Sequence, residues 1–155
     1  MHMRKIISAL TLVLSFVVAS SSASFAAPAN EKGFLDTYKK AFESKDEATL
    51  KSFLYTKGAD PTILEFYTMM LTSDMGGKLA SIELRDLTPE DVKKATAIQP
   101  LPSGGDAKLP LNPTKKLVLK IETKDANGSS TSSSETFVAE LDGKFVIPVP
   151  GPVVK

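Results

Sequence analysis

The sequence predicts an α+β protein in which helices come first and an antiparallel sheet follows. Three observations carry this. Apolar residues recur at helical spacing through residues 33–74, the pattern changes to strict alternation from residue 79, and Asn127-Gly128 and Asp142-Gly143 punctuate the last third as turns.

In the first helix Phe34, Leu35, Tyr38, Ala41 and Phe42 fall on one face, with Asp36, Lys39, Lys40 and Glu43 on the other. Ser44 lies three residues before Glu47, the capping-box spacing, so a second helix is expected from about Lys45 to bury Leu50, Phe53 and Leu54. Asp60-Pro61 places an N-cap acceptor and then a proline at the first helical position. The third helix should carry Ile63, Leu64, Phe66, Tyr67, Met70 and Leu71 into the core and end at Gly76-Gly77.

Residues 79–87 alternate as a half-buried strand, with Ala80, Ile82 and Leu84 inward and Ser81, Glu83 and Arg85 outward. Thr88-Pro89-Glu90-Asp91 then opens a short helix. Residues 99–113 hold four prolines and Gly104-Gly105, so this stretch should form a long loop or irregular edge, because proline removes a ladder donor.

The remainder reads as a meander. Taking Asn127-Gly128 and Asp142-Gly143 as the two central residues of their turns sets Val138 opposite Leu117, Ile147 opposite Val138 and Phe145 opposite Glu140. One face then gathers Leu117, Leu119, Ile121, Val138, Phe145 and Ile147 to cover the helices, with Glu140 at its rim. The opposite face carries Val118, Phe137, Ala139, Leu141 and Val146, enough apolar surface to predict a homodimer through it. The serine-rich residues 129–134 are expected to form a flexible flank of the first turn.

Ahead of this domain, residues 1–26 have the features of a cleaved signal peptide: Arg4 and Lys5, an apolar core over residues 6–18, and Ser24-Phe25-Ala26 before the cut. The core is shorter than the roughly 20 residues a membrane-spanning helix needs. The expected product is a periplasmic or secreted single domain over residues 27–155, with no integral membrane segment after cleavage. Removing Arg4 and Lys5 from 19 basic residues leaves 17 against 18 acidic ones, a net of −1, with Arg85 the sole arginine. That balance gives no electrostatic footprint for nucleic acid.

The order of elements resembles the cystatin-like α+β cone of the nuclear-transport-factor-two-like superfamily, in particular its small exported bacterial members. The likeness rests on residues 34–46 (FLDTYKKAFESKD), similar to the opening helix and its break, and on the closing Asp142-Gly143-Lys144-Phe145 pattern. It implies N-terminal helices packed on a curved antiparallel sheet. The family hosts isomerases, cyclases and dehydratases alongside non-catalytic binding modules, so the fold alone does not decide the function.

The sole histidine is His2 and there is no cysteine, so the domain has no histidine base, no thiol nucleophile and no histidine-bearing metal site. No cofactor motif is present and the acids show no calcium-loop spacing. Tyrosine, carboxylates and lysine remain. Tyr38, Phe42, Tyr67 and Glu140 are the candidate pocket residues between helices and sheet, and a proton-transfer isomerase or lyase would use Tyr38 or Tyr67 as donor and Glu140 or Glu83 as base. The favoured expectation is a non-catalytic module of the cell envelope that binds a small apolar ligand or another envelope protein. Met69, Met70 and Met75 are expected to fill the core rather than to hold a guest. Lysines 108, 115, 116, 120 and 124, interleaved with Glu122, Asp125 and Glu135, are expected to form a solvated face.

Overall fold

The computed structural model describes residues 30–153. The expected signal peptide and its cleavage site lie outside them. The helical part comprises α1 (Glu31–Glu43), α2 (Glu47–Ser52) and α3 (Pro61–Thr72), with the two-residue strand β1 (Leu54–Tyr55) between the last two. There follow β2 (Lys78–Asp86), α4 (Pro89–Thr96), β3 (Gln99–Pro100), β4 (Asp106–Lys108), β5 (Lys115–Asp125), β6 (Gly128–Leu141), β7 (Lys144–Pro148) and β8 (Gly151–Pro152). Among the described residues no helix is long and apolar enough to cross a membrane.

Each helix starts where a short polar side chain can accept from the first free N–H groups. Asn30 caps α1, Asp60 accepts from Thr62 N and Ile63 N at α3, and Thr88 and Asp91 form a reciprocal capping box at α4. At α2 the cap is Asp46, which accepts from Thr49 N at 3.1 Å, not the expected Ser44. Ser44 Oγ instead donates back to Lys40 O at 2.7 Å, ending α1, while Lys45 takes a positive φ of 59° to turn the chain. A box needs its serine at the boundary, and the boundary falls two residues later.

The main sheet has the order β1-β7-β6-β5-β2. It is mixed, not a pure meander: β1 runs parallel to β7, with Ile147 N donating to Phe53 O at 2.7 Å and Val149 N to Tyr55 O at 3.2 Å. In the first hairpin Asp125 pairs with Gly128, so the loop residues are Ala126 and Asn127 and Leu117 faces Thr136 rather than Val138. This displaces the expected register by two residues, and because strand side chains alternate with period two, every residue keeps its face. The serine-rich run is part of β6 and paired to β5 throughout, since a ladder requires backbone groups and not apolar side chains. At the second hairpin Glu140 faces Phe145 as expected, across Asp142 (φ 51°) and Gly143 (φ 73°), the pair of positive φ values a two-residue turn requires.

The predicted inner face of the sheet is the core. Leu117, Leu119, Ile121, Val138, Phe145 and Ile147 pack against Phe34, Tyr38, Ala41, Phe42, Leu50 and Phe53. Phe34 sits at the centre of the aromatic cluster, 5.0 Å from Phe53 edge-on and 5.7 Å from Phe145 between ring centroids. On β2 a bulge between Leu79 and Ser81 turns Leu79 inward and leaves Ala80 exposed, reversing the expected start of the alternation.

The outer face is covered in part. Val118 and Ala139 are 2% and 1% exposed. Lys116, on the same face, is ion-paired to Asp91 and so holds α4 against it. Of the apolar residues from which a homodimer was expected, Val118 and Ala139 are covered by the chain itself, while Phe137, Leu141 and Val146 stay half-buried. Residues 99–113 form an irregular edge as expected, organised as a second sheet of order β3-β4-β8. Its last strand is brought in by close contact: a Cβ on Gly151 would lie 1.9 Å from Gly58 O, so only glycine fits, and Asp60 N donates to Pro150 O at 3.0 Å beside it.

Candidate functional site

α3 contains seven large apolar residues, yet of these only Leu71 is fully buried. Phe66 and Met69, expected or read as core, are 56% and 58% exposed. The helix reaches the core along one edge, through Leu71 and the partly buried Tyr67. Its remaining apolar side chains need another partner, and part of them lines a groove.

That groove has a volume of about 480 Å³. One wall is α3, through Thr62, Ile63, Phe66 and Tyr67; the other is α4 and the irregular edge, through Ala95, Ala97, Pro100, Pro102 and Leu109. Phe137, Ala107 and Pro150 also line it, and Ala95 and Ala107 are themselves buried. Pro100, Pro102 and Pro150 stiffen the groove and lack N–H groups, so an apolar guest leaves no donor unpaired at those positions. Two features position it. The Asp60 cap and the Gly58–Gly151 contact tie the start of α3 to Pro150, and the Asp91–Lys116 pair ties α4 to the sheet. The volume lies within the roughly 300–1,000 Å³ of small-molecule sites.

The polar groups of the groove are Thr62, Tyr67, Lys94, Gln99 and Lys108, and no carboxylate lines it. Lys94 and Lys108 are exposed, so their ammonium groups stand at the solvent side. Burial raises the Tyr67 phenol above its ordinary pKa, so it stays protonated and remains a hydrogen-bond donor at neutral pH.

The four candidate residues read from sequence do not converge. Tyr67 lines the groove. Tyr38 is 1% exposed, stacked on Phe53 at 5.7 Å, and burial pushes its phenol well above the ordinary range. Phe42 is also core, and the cleft it shares with Tyr38, Leu71 and Leu119 holds only about 20 Å³. Such a space suits about one water molecule, not a substrate. Glu140 is exposed, opposite Phe145 near the second turn, and Glu83 is ion-paired to Arg85 on β2. The layer between helices and sheet is filled; open volumes of about 520 Å³ beside Lys45, Lys78 and Glu122 and about 450 Å³ beside Asp36, Lys39 and Glu43 are lined mostly by polar and charged residues, and the groove between α3 and α4 is the one lined mainly by apolar side chains. Among the described residues no three His, Asp or Glu side chains gather as metal ligands.

The lysine strip is not uniformly solvated either. Lys115 bridges Asp86 at 2.7 Å and Glu31 at 3.1 Å, and Lys116, its side chain 14% exposed, bridges Asp91 and Glu135, each at 3.2 Å. Residues 99–109 supply six of the fifteen residues lining the groove and had no periodic signal. A usable signal did exist in α3, where apolar side chains on more than one face, with no cation among them, exceed what one helix can bury against a single sheet.

Comparison of the chain with known protein families, with curated proteins and with solved structures found no match.

Proposed function

We propose that this chain is an exported, non-catalytic binding module of the cell envelope, periplasmic or secreted, that holds a small apolar molecule in the groove between α3 and α4. The observation that carries the reading is the contrast between a filled core beside Tyr38 and an open volume of about 480 Å³ beside Tyr67. Ile63, Phe66, Tyr67, Phe137 and three prolines give that volume an apolar wall. Export rests on the basic, apolar and small-residue succession of residues 1–26.

The nuclear-transport-factor-two-like cone is the fold family we assign to it, on the strength of three N-terminal helices against the concerted strands β2, β5, β6 and β7. The parallel β1 and the sheet β3-β4-β8 are additions to that plan, and the proposed site is built from the second of them. Proton transfer has less support in this groove, because Tyr67 finds no carboxylate partner among the lining residues.

The test is binding of the neutral dye Nile red to the purified chain and to a Thr62→Trp variant. Thr62 is exposed on the first turn of α3, and its cap bond is made by backbone N, so a large side chain fills the groove without unfolding the helix. Saturable fluorescence enhancement that Thr62→Trp removes is expected; equal enhancement by both proteins contradicts the proposal.

A further inference from the structure

The groove is apolar within and cationic at its solvent side, and this asymmetry names the class of guest. We infer that its ligand is an anionic amphiphile, an alkyl chain or comparable apolar body ending in a single carboxylate-like head, with the head held by Lys94 and Lys108. The inference rests on the reading of the groove as a binding site and adds the chemistry of the occupant.

The charges around the groove support this sign. Lys94 pairs with Glu90 one helical turn away at 2.9 Å, both side chains well exposed, and such a surface pair exchanges readily for another anion. Lys108 makes no ion pair with a described residue. Glu65 and Asp106 lie nearby in sequence, exposed, but neither lines the groove. A cationic head would therefore meet two ammonium groups against one nearby acid, Glu90, which Lys94 already engages, and a neutral head would leave the Lys108 ammonium group without a partner. The protonated Tyr67 hydroxyl and the Gln99 amide add donors suited to an oxyanion. The buried Ala95 and Ala107 give the groove apolar lining, against which a polar body would leave its own hydrogen-bonding groups unpaired.

Three probes with the same eight-carbon chain separate the head from the tail: octanoate, octanol and octyltrimethylammonium, titrated calorimetrically into the purified chain at low ionic strength. Octanoate should bind about fivefold more tightly than octanol, the scale of one solvent-exposed ion pair, and octyltrimethylammonium least. The preference for octanoate should shrink at 0.5 M salt. In the double variant Lys94→Gln/Lys108→Gln octanoate should fall to the level of octanol, and Lys94→Arg/Lys108→Arg should restore the difference. Equal affinity for octanoate and octanol in the original chain, or a preference that survives the glutamine variant, overturns the assignment of an anionic head while leaving an apolar site in place. Absence of binding by all three probes overturns the groove reading itself.

Discussion

Lys116 Nζ lies 3.2 Å from Asp91 Oδ2 and 3.2 Å from Glu135 Oε2, joining the first turn of α4 to two strands of the sheet. Asp91 also accepts from Thr88 N and Thr88 Oγ1, each at 2.9 Å, so one carboxylate both starts the helix and anchors it. Because α4 forms one wall of the groove, the stability of this contact and the shape of the site are linked.

Hydrogen bonds from Thr88, with the Lys116 ammonium as a lesser cause, depress the Asp91 carboxyl to about 2. A folded-state pKa below the unfolded value of about 3.9 means that the group stabilises the fold fully above pH 4. That contribution is lost as pH falls from about 4 to about 2. The melting temperature should drop over this window, with Asp46 and Asp86, both also depressed, contributing in the same sense. Asp91→Asn should lower the melting temperature at neutral pH and flatten the acid drop; an unchanged profile would show that the contact does not form.

Thr88→Ala removes one half of the capping box and should cost about 1 kcal/mol in urea denaturation, with Thr88→Ser retaining most of the stability.

Phe34 and Phe66 should behave in opposite ways. Phe34→Ala removes a ring enclosed by Tyr38, Phe53 and Phe145 and should cost about 3–5 kcal/mol. Phe66→Ala, at an exposed helical position, should change stability by about 0.5 kcal/mol or less yet weaken Nile red binding.

Gly151→Ala forces a Cβ into the Gly58 carbonyl, where backbone on both sides prevents relief by a rotamer change. A loss of about 1–3 kcal/mol is expected, together with weaker binding, since the displaced segment carries Pro150 of the groove.

The helix–sheet order, the starts of α3 and α4 and the core face of the sheet were legible because capping chemistry and period-two alternation are local signals. The turn at residues 126–127 was misplaced by one position, and the error left Leu117 and Val138 in the core because two residues restore the strand phase. β1 was hidden by its length: two residues carry no alternation, and its pairing with β7 is made by backbone groups. The site was legible only through Tyr67. Tyr38 and Phe42 share its helical spacing, but spacing says that a side chain faces inward and not whether space remains there. The second wall comes from residues 99–109, where proline and glycine erase periodicity and position follows from contacts with β8 and α3.

The most direct measurement is two-dimensional NMR of the isotopically labelled chain during titration with octanol, a probe that makes no demand on the head group. Shifts are expected at Ile63, Phe66, Tyr67, Ala95, Ala107 and Phe137, with Tyr38, Phe42 and Leu119 unmoved. Shifts centred on Tyr38 and Phe42, in the layer between helices and sheet, would contradict binding in the groove.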